Sequence, residues 1–120
     1  MNILILDDDL DRQKKFQKAL YRADRLGQVT TASNCIWMLQ AEHWDCLFLD
    51  HDLGGETYVD SNNPNTGYQV ARFLYVHPDL KPKRIIIHSL NAVGAKAMQD
   101  LLPGSELCPF AWEHTTLISK

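Results

Sequence analysis

Two histidines and a group of aspartates lie where apolar segments of the sequence end. Asp50, His51 and Asp52 directly follow the apolar run at residues 47–49, and His88 follows three isoleucines. A histidine can give or take a proton near neutral pH, so two of them on opposite sides of a phosphorus atom could act as base and acid. Opening a cyclic phosphate needs such a pair, because one group activates water and the other protonates the leaving oxygen. The residue types therefore predict proton-transfer chemistry on a phosphate ester.

Acidic residues at two of these points could also hold a cation. The candidate ligands are Asp7, Asp8, Asp50 and Asp52. Clustered carboxylates repel one another unless they are protonated or bound to a cation. Mg²⁺ or another hard divalent ion prefers oxygen ligands and often completes its shell with substrate phosphate, whose charge it neutralises. Whether the ion is required stays open, since two histidines could open a cyclic phosphate without one.

Small and polar residues beside these groups complete the predicted site. Ser89 and Asn91 could donate hydrogen bonds to phosphate oxygens, helped by the N-terminus of the helix that follows them. Gly54 and Gly55 break the apolar strand and open the next loop, where we expect them to contact the substrate. The loop at residues 56–66 is either a polar lid over the crevice or a surface excursion.

Each candidate also has a purely structural interpretation. Asp7 and Asp8 could cap the first helix, and Asp52 could cap the loop that follows it. His88 alone would be a core histidine, and its place opposite His51 is what favours function. His114 lies in a tail without an assigned element, where a structural role is favoured over one at the site.

The elements that would position these residues alternate between strand and helix. Predicted strands lie at residues 2–6, 28–32, 47–49, 84–89 and 106–110. Predicted helices begin at Asp9 or Asp11, Ser33, Thr66 and Asn91, and Gly27 is expected to end the first. This alternation predicts a three-layer α-β-α fold in which helices cover both faces of a five-stranded parallel sheet.

Composition narrows the classes of function. A chain of 120 residues that is 45% apolar fits a single domain over residues 1–120. The net charge of −3 and the lack of Lys/Arg runs argue against a broad nucleic-acid surface, although a small nucleotide or a short RNA end is compatible. No apolar run is long enough for a bilayer, so no membrane partner is expected. Three widely spaced cysteines indicate reduced thiols and a cytoplasmic location. Oligomeric state does not follow from the sequence.

The order and lengths of the elements resemble the receiver domain of two-component response regulators over nearly the whole chain. Asp7 and Asp8 match the acidic pair after that family's first strand. Asp50 matches its phosphoacceptor aspartate, and Ser89 its Ser or Thr after the fourth strand. The resemblance implies the doubly wound, flavodoxin-like strand order 2-1-3-4-5.

Three departures from that family affect the chemistry. Receivers carry a lysine before a proline at the end of the fifth strand, whereas Cys108 precedes Pro109 here. The fifth helix is expected to be short or absent. His51 and His88 stand at strand ends instead, which puts ordinary phosphorelay chemistry in doubt.

Residues 49–55 together with residues 88–91 resemble a divergent branch, the cyclic-phosphate-processing receiver-like domain of phages and bacteria. The resemblance implies a hydrolase that acts on a cyclic phosphate, with a small phosphorylated ligand or a cyclic nucleotide as partner. The alternative is a non-catalytic or phosphorylatable signalling module with Asp50 as acceptor. A protein that sequesters a cyclic nucleotide without turnover is a third possibility.

The doubly wound order predicts where the candidate residues meet. The first and third strands flank the point where the order reverses, and the fourth lies beside the third. Asp8, Asp50, His51 and His88 are therefore expected to converge on one crevice.

Overall fold

The computed structural model describes residues 1–113, in which a parallel sheet lies between two layers of helices. The strands are β1 (Asn2–Leu6), β2 (Arg25–Val29), β3 (Cys46–Leu49), β4 (Arg84–Ile87) and β5 (Glu106–Leu107). The helices are α1 (Leu10–Ala19), α2 (Ala32–Ala41), α3 (Gly67–Val76) and α4 (Ala92–Leu101), with short 3-10 turns at Pro78–Leu80 and Ala111–Glu113. His114, considered above as a possible site residue, lies outside the described residues.

The strand order is β2-β1-β3-β4-β5 with all neighbours parallel, which confirms the predicted fold. Leu6 pairs with Leu49, and Leu49 pairs with Ile87, so three strands end at one level. The ladder continues one residue further, because the Asp50 N–H donates to the Leu6 carbonyl and the His88 N–H to the Leu49 carbonyl. This register brings the residues after β1, β3 and β4 side by side.

Side chains alternate between two hydrophobic cores on the two faces of the sheet. Leu49 and Ile87 belong to the core under α2, α3 and α4. Phe48 and Ile86 belong to the core under α1 and the 3-10 turn at Ala111–Glu113. The alternation decides which face each residue takes just past a strand end.

The boundary between α1 and β2 differs from the sequence expectation. The helix ends at Ala19, and Gly27 lies inside β2 opposite Leu4 instead of ending the helix. A Cβ at Gly27 would lie 2.6 Å from the Trp44 ring, so the glycine is there for close packing. Helix α2 likewise begins earlier than Ser33, because the Thr31 hydroxyl caps it by accepting from the Asn34 N–H.

The caps of the two helices that border the site are as predicted. The Asp9 carboxylate accepts from the N–H groups of Asp11 and Arg12 at the start of α1. The Asn91 side chain accepts from the Gly94 N–H at the start of α4. Within residues 1–113, no helix is both long and apolar enough to cross a bilayer.

Candidate functional site

Asp7 is the most buried acid of the site, with no exposed surface. Its Oδ1 accepts from the Asp9 N–H at 2.9 Å and from Arg12 Nη2 at 2.9 Å. Its Oδ2 accepts from Arg12 Nε at 2.8 Å and from His88 Nε2 at 3.0 Å. Burial alone would raise the pKa of Asp7, but the hydrogen bonds from His88 and Arg12 outweigh it and lower the pKa to about 2. A carboxylate accepts about four hydrogen bonds, so Asp7 is ionised and saturated.

His88 is held in one orientation beside Asp7. Because the Asp7 carboxylate only accepts, Nε2 of His88 carries the proton that it donates. The ring lies edge-on to Phe16 and to Trp112, at centroid distances of 5.2 Å and 6.1 Å. Nδ1 is buried and has no hydrogen-bond partner among the described residues. The ring therefore has one nitrogen that no described residue uses, beneath the floor of the cleft, because the side chain itself has no exposed surface.

Asp50 and Asp8 stand beside this pair with acceptor capacity to spare. Asp50 is 4% exposed, and its Oδ1 accepts from the His51 N–H at 2.9 Å. Burial raises the pKa of Asp50 to about 6, assisted by the charges of Asp7 and Asp8. Asp8 Oδ2 accepts from the Gly55 N–H at 2.6 Å. Two carboxylates at the strand ends can therefore bind a cation without giving up a structural partner.

Arg12 is the functional residue that sequence reasoning missed. Besides its paired bonds to Asp7, its Nη2 lies 3.4 Å from Asp50 Oδ2 and 3.8 Å from Asp8 Oδ1. The guanidinium also stacks on the Trp112 ring at 5.4 Å. Its hydrogen bonds to Asp7 raise its pKa, so it stays charged. The missing receiver lysine thus has a cationic counterpart on α1, and the spacing from Asp8 to Arg12 is the signal that could have found it.

These residues open onto a cleft of about 250 Å³. Its carboxylates come from Asp8, Asp9, Asp50, Asp52 and Glu56, and its basic side chains are Arg12 and His88. A phosphate would be repelled by this many carboxylates unless a cation were bound as well. Ligand atoms of Asp7, Asp50 and His88 all lie within 4.8 Å of one another. Because Asp7 is already saturated, Asp50 and Asp8 fit a divalent ion better than Asp7 does.

The structure does not bring His51 to this cleft, which corrects the expected pairing with His88. His51 is one residue beyond Asp50, so its side chain takes the opposite face of the sheet. It is fully buried, with Nδ1 2.8 Å from Asp52 Oδ1 and Nε2 2.9 Å from Ser61 Oγ. Neither ring nitrogen is available to a phosphate in the cleft, and the two imidazoles do not face each other across one ligand.

Of the other predicted site residues, some line the cleft and others only shape the loops around it. Asp52 reaches the cleft, but its carboxylate accepts from the N–H groups of Tyr58 and Val59 and caps the loop. Ser89 accepts from the Asn91 N–H, and Asn91 caps α4, so both shape the turn before that helix. Both glycines take φ of +77°, the left-handed conformation that favours glycine. Gly55 lines the cleft, Gly54 does not, and the binding roles of these residues stay predictions.

Response regulators are among the solved structures that share this fold. The phosphorylated cyanobacterial phytochrome response regulator RcpA matches with a TM-score of 0.74 and 18% identity, over 98% of this chain and 86% of that one. The Mn²⁺-bound form of response regulator Rcp1 matches with a TM-score of 0.69 and 17% identity, over 98% of this chain and 91% of that one. A Burkholderia pseudomallei response regulator with a phosphorylated aspartic acid, calcium ion and citrate has a TM-score of 0.69 and 18% identity. That match covers 97% of this chain and just 64% of the other, and at such identities the likeness shows the fold alone.

Sequence comparison is more specific. No curated protein matches the sequence. The family described as "Cyclic-phosphate processing Receiver domain" matches residues 1–104, most of the chain. Together with the strand order and the acidic strand ends, this match places the chain in the cyclic-phosphate processing receiver domain family.

Proposed function

We propose that the protein is a metal-assisted phosphohydrolase that opens a cyclic phosphate in the cleft at the ends of β1, β3 and β4. The observation that carries the proposal is the buried Asp7–His88 pair, 3.0 Å apart, with Nδ1 of His88 unpartnered among the described residues. A buried acid–imidazole pair beside two further carboxylates suits proton transfer at an ester of phosphoric acid.

Charge explains why a cation belongs to this proposal. Asp8 and Asp50 would hold a divalent ion such as Mg²⁺, which would neutralise phosphate charge and make the phosphorus more electrophilic. Arg12, with Nη2 3.4 Å from Asp50, adds a fixed positive charge and N–H donors on the same side of the cleft. The divalent ion and Arg12 would together offset the negative charges of the carboxylates and of the substrate phosphate.

His88 is the group we assign to proton transfer. This step requires a small movement that opens Nδ1, which is buried in this structure, to the cleft. As water attacks the phosphorus, its proton then passes to His88 Nδ1, and Asp7 stabilises the resulting imidazolium through Nε2. A new P–O bond forms, the bond from phosphorus to one sugar oxygen breaks, and that oxygen takes a proton from solvent at the cleft mouth. General base catalysis of this kind contributes about 10²–10⁴-fold to the rate.

The size of the cleft bears on the class of substrate. At about 250 Å³ it is smaller than pockets that enclose a whole drug-sized ligand. A cyclic phosphate with its sugar fits such a volume, whereas the base would lie outside. A nucleoside cyclic phosphate and a 2′,3′-cyclic RNA end are therefore both suitable substrates.

A substrate panel tests this proposal. Cyclic nucleotides and RNA with a 2′,3′-cyclic end are incubated with the protein and Mg²⁺, Mn²⁺ or EDTA, and products are separated by chromatography. We expect turnover that EDTA abolishes and that His88→Gln lowers by about 10²-fold or more, because glutamine can still donate to Asp7 but accepts no proton at this pH. His43→Ala, at an exposed histidine, is the matched control and should keep full activity. Lack of product from every substrate, or equal rates in His88→Gln, would overturn the proposal.

A second candidate function is phosphorylation at Asp50. Asp50 directly follows β3 at the edge where the sheet order reverses, and its Oδ2 lies 3.4 Å from Arg12, a cation able to contact a phosphoryl group. Incubation with a small phosphodonor and intact-mass analysis should then show one added phosphoryl group in the natural protein and none in Asp50→Asn. Absence of an adduct and of any beryllofluoride complex would exclude this role.

A further inference from the structure

We infer that His51 is a positioning residue: it fastens the loop from Asp52 to Ser61 against α4 and so sets the wall of the cleft on which a phosphate would bind. This inference rests on the proposed function, because it assigns His51 to holding the substrate site and not to proton transfer. The element it controls is the loop that supplies Gly55, Glu56 and Thr57 to the cleft.

The hydrogen bonds of His51 fix its tautomer. Asp52 is ionised, since burial would raise its pKa but hydrogen bonds from His51, Asn91 and loop N–H groups lower it. A carboxylate only accepts, so Nδ1 of His51 donates to Asp52 Oδ1 at 2.8 Å. In the neutral form of that tautomer, Nε2 accepts from the Ser61 hydroxyl at 2.9 Å. The ring thus links two ends of one loop that are nine residues apart in sequence.

Backbone groups of the loop also form hydrogen bonds at Asp52 and at Ser61. Asp52 accepts from the Tyr58 N–H at 2.7 Å and the Val59 N–H at 3.0 Å. The Ser61 carbonyl accepts from Gln69 Nε2 of α3 at 2.8 Å. Between these anchors the chain passes over the cleft, where the Gly55 N–H donates to Asp8. Asp52 and Ser61 are therefore the two anchored ends of the segment that lines the cleft.

Helix α4 closes the other side of the imidazole. A Cβ at Gly94 would lie 2.5 Å from Cγ of His51, so the ring rests directly on the helix backbone. Asn91 Nδ2, at the cap of α4, donates to Asp52 Oδ1 at 3.1 Å. The loop is thus joined to β3 and α4 through one buried ring, which a surface excursion would not require.

Ser61 provides the decisive variant, because Ser61→Ala removes the bond to Nε2 without touching any group that could transfer a proton in the cleft. Hydrogen exchange of the amides at residues 55–61 is measured by mass spectrometry in the natural protein, Ser61→Ala, His51→Ala and the control Asn62→Ala, an exposed neighbour in the loop. We expect exchange to be at least about fivefold faster in the first two variants, the factor for one lost hydrogen bond of about 1 kcal/mol. We expect no change in Asn62→Ala. Unchanged exchange in Ser61→Ala would overturn the inference.

Kinetics separate positioning from proton transfer. We expect Ser61→Ala and His51→Ala each to raise KM about fivefold or more, to leave the pH profile of kcat unchanged, and to be non-additive in the double variant. His51→Gln, which can still bond to Ser61, should restore part of the affinity. A pH limb of kcat lost in His51→Ala but kept in Ser61→Ala would contradict the inference. If the natural protein shows no turnover at all, the proposed function fails, whereas the exchange experiment still decides the role of His51.

Discussion

At the residue scale, the carboxylates of the site differ in how many hydrogen bonds they already accept, and this difference decides which of them can bind a ligand. Asp7 accepts four hydrogen bonds and is held ionised with a pKa of about 2, whereas burial raises the pKa of Asp50 to about 6. The difference follows from His88 and Arg12, which both hydrogen-bond to Asp7, whereas Asp50 is buried with only the longer contact of 3.4 Å to Arg12. One carboxylate thus supports His88, and the other is left able to receive a ligand.

Removal of Arg12 should destabilise the protein, because the buried carboxylate of Asp7 would lose the positive charge beside it. Arg12→Ala leaves the buried Asp7 without two of its donors, and we expect the free energy of unfolding to fall by about 2 kcal/mol. Denaturant titration in EDTA measures the change. Lys14→Ala, at an exposed position on the same helix, should change the free energy by less than about 0.5 kcal/mol. Equal stability of Arg12→Ala and the natural protein would show that Arg12 is not the counter-ion described here.

The pKa of Asp50 predicts an unusual dependence of stability on pH. Because its folded pKa of about 6 lies above the usual value of 3.8 for an aspartate, its contribution is fully present below about pH 4 and is lost as the pH rises through 6. Asp7, with a lowered pKa, loses its contribution in the opposite sense, as the pH falls towards 2, outside this window. We expect Asp50→Asn, which mimics the protonated acid, to be more stable than the natural protein at pH 7 in EDTA by about 3 kcal/mol, and similar to it at pH 3.5. Denaturation midpoints of both proteins at the two pH values measure this difference. An equally large gain in stability of Asp50→Asn at both pH values would refute the raised pKa of Asp50.

At the scale of elements, strand ends were predictable and the loop between β3 and α3 was not. Continuous apolar runs identified β1, β3 and β4, and the residues that follow them were therefore correctly placed at one edge. The face taken by His51 depends on alternation past the end of β3 and on Ser61, which lies in a segment without hydrophobic periodicity. The prediction for Gly27 was wrong because a glycine that follows a helical pattern commonly ends the helix. Its actual role is close packing against Trp44, a tertiary contact that the local sequence does not reveal.

Helix α4 should tolerate no side chain where it meets His51. Gly94→Ala improves intrinsic helix propensity by about 1 kcal/mol, yet its Cβ would overlap the buried imidazole. We expect a net loss of about 1–3 kcal/mol in the free energy of unfolding, as overpacking in a buried region costs. Val93→Ala, one position earlier and exposed, is the control and should be neutral or slightly stabilising. A stabilised Gly94→Ala variant would show that the ring and helix are not in contact.

At the scale of the whole molecule, the fold hides two of its three thiols. Cys35 and Cys46 lie in the two cores, and burial raises the pKa of both thiols, that of Cys46 to about 12. Cys108 is only partly buried. We expect iodoacetamide at pH 8 to add one group to the native protein and three in guanidinium, as read by intact mass. Rapid addition of two or three groups to the native protein would indicate a sheet less closely packed than this one.

The site itself is a product of the whole topology. Asp7, Asp50 and His88 are far apart in the sequence, and only the parallel order β1-β3-β4 with equal strand ends brings them together. That order is shared with response regulators, whereas the Asp7–His88 pair and Arg12 give this cleft its own set of charges. The fold could therefore be predicted from the apolar pattern and the resemblance, but the partners of each charge required coordinates.

The proposed opening of a cyclic phosphate can be followed directly at the phosphorus atom. A 2′,3′-cyclic nucleotide is incubated with the full chain and Mg²⁺, and ³¹P NMR is recorded over time for the natural protein and for His88→Gln. We expect the cyclic phosphate signal to be replaced by that of a phosphate monoester with the natural protein and to persist with the variant. Monoester formed at the same rate by both proteins, or by neither, would contradict it.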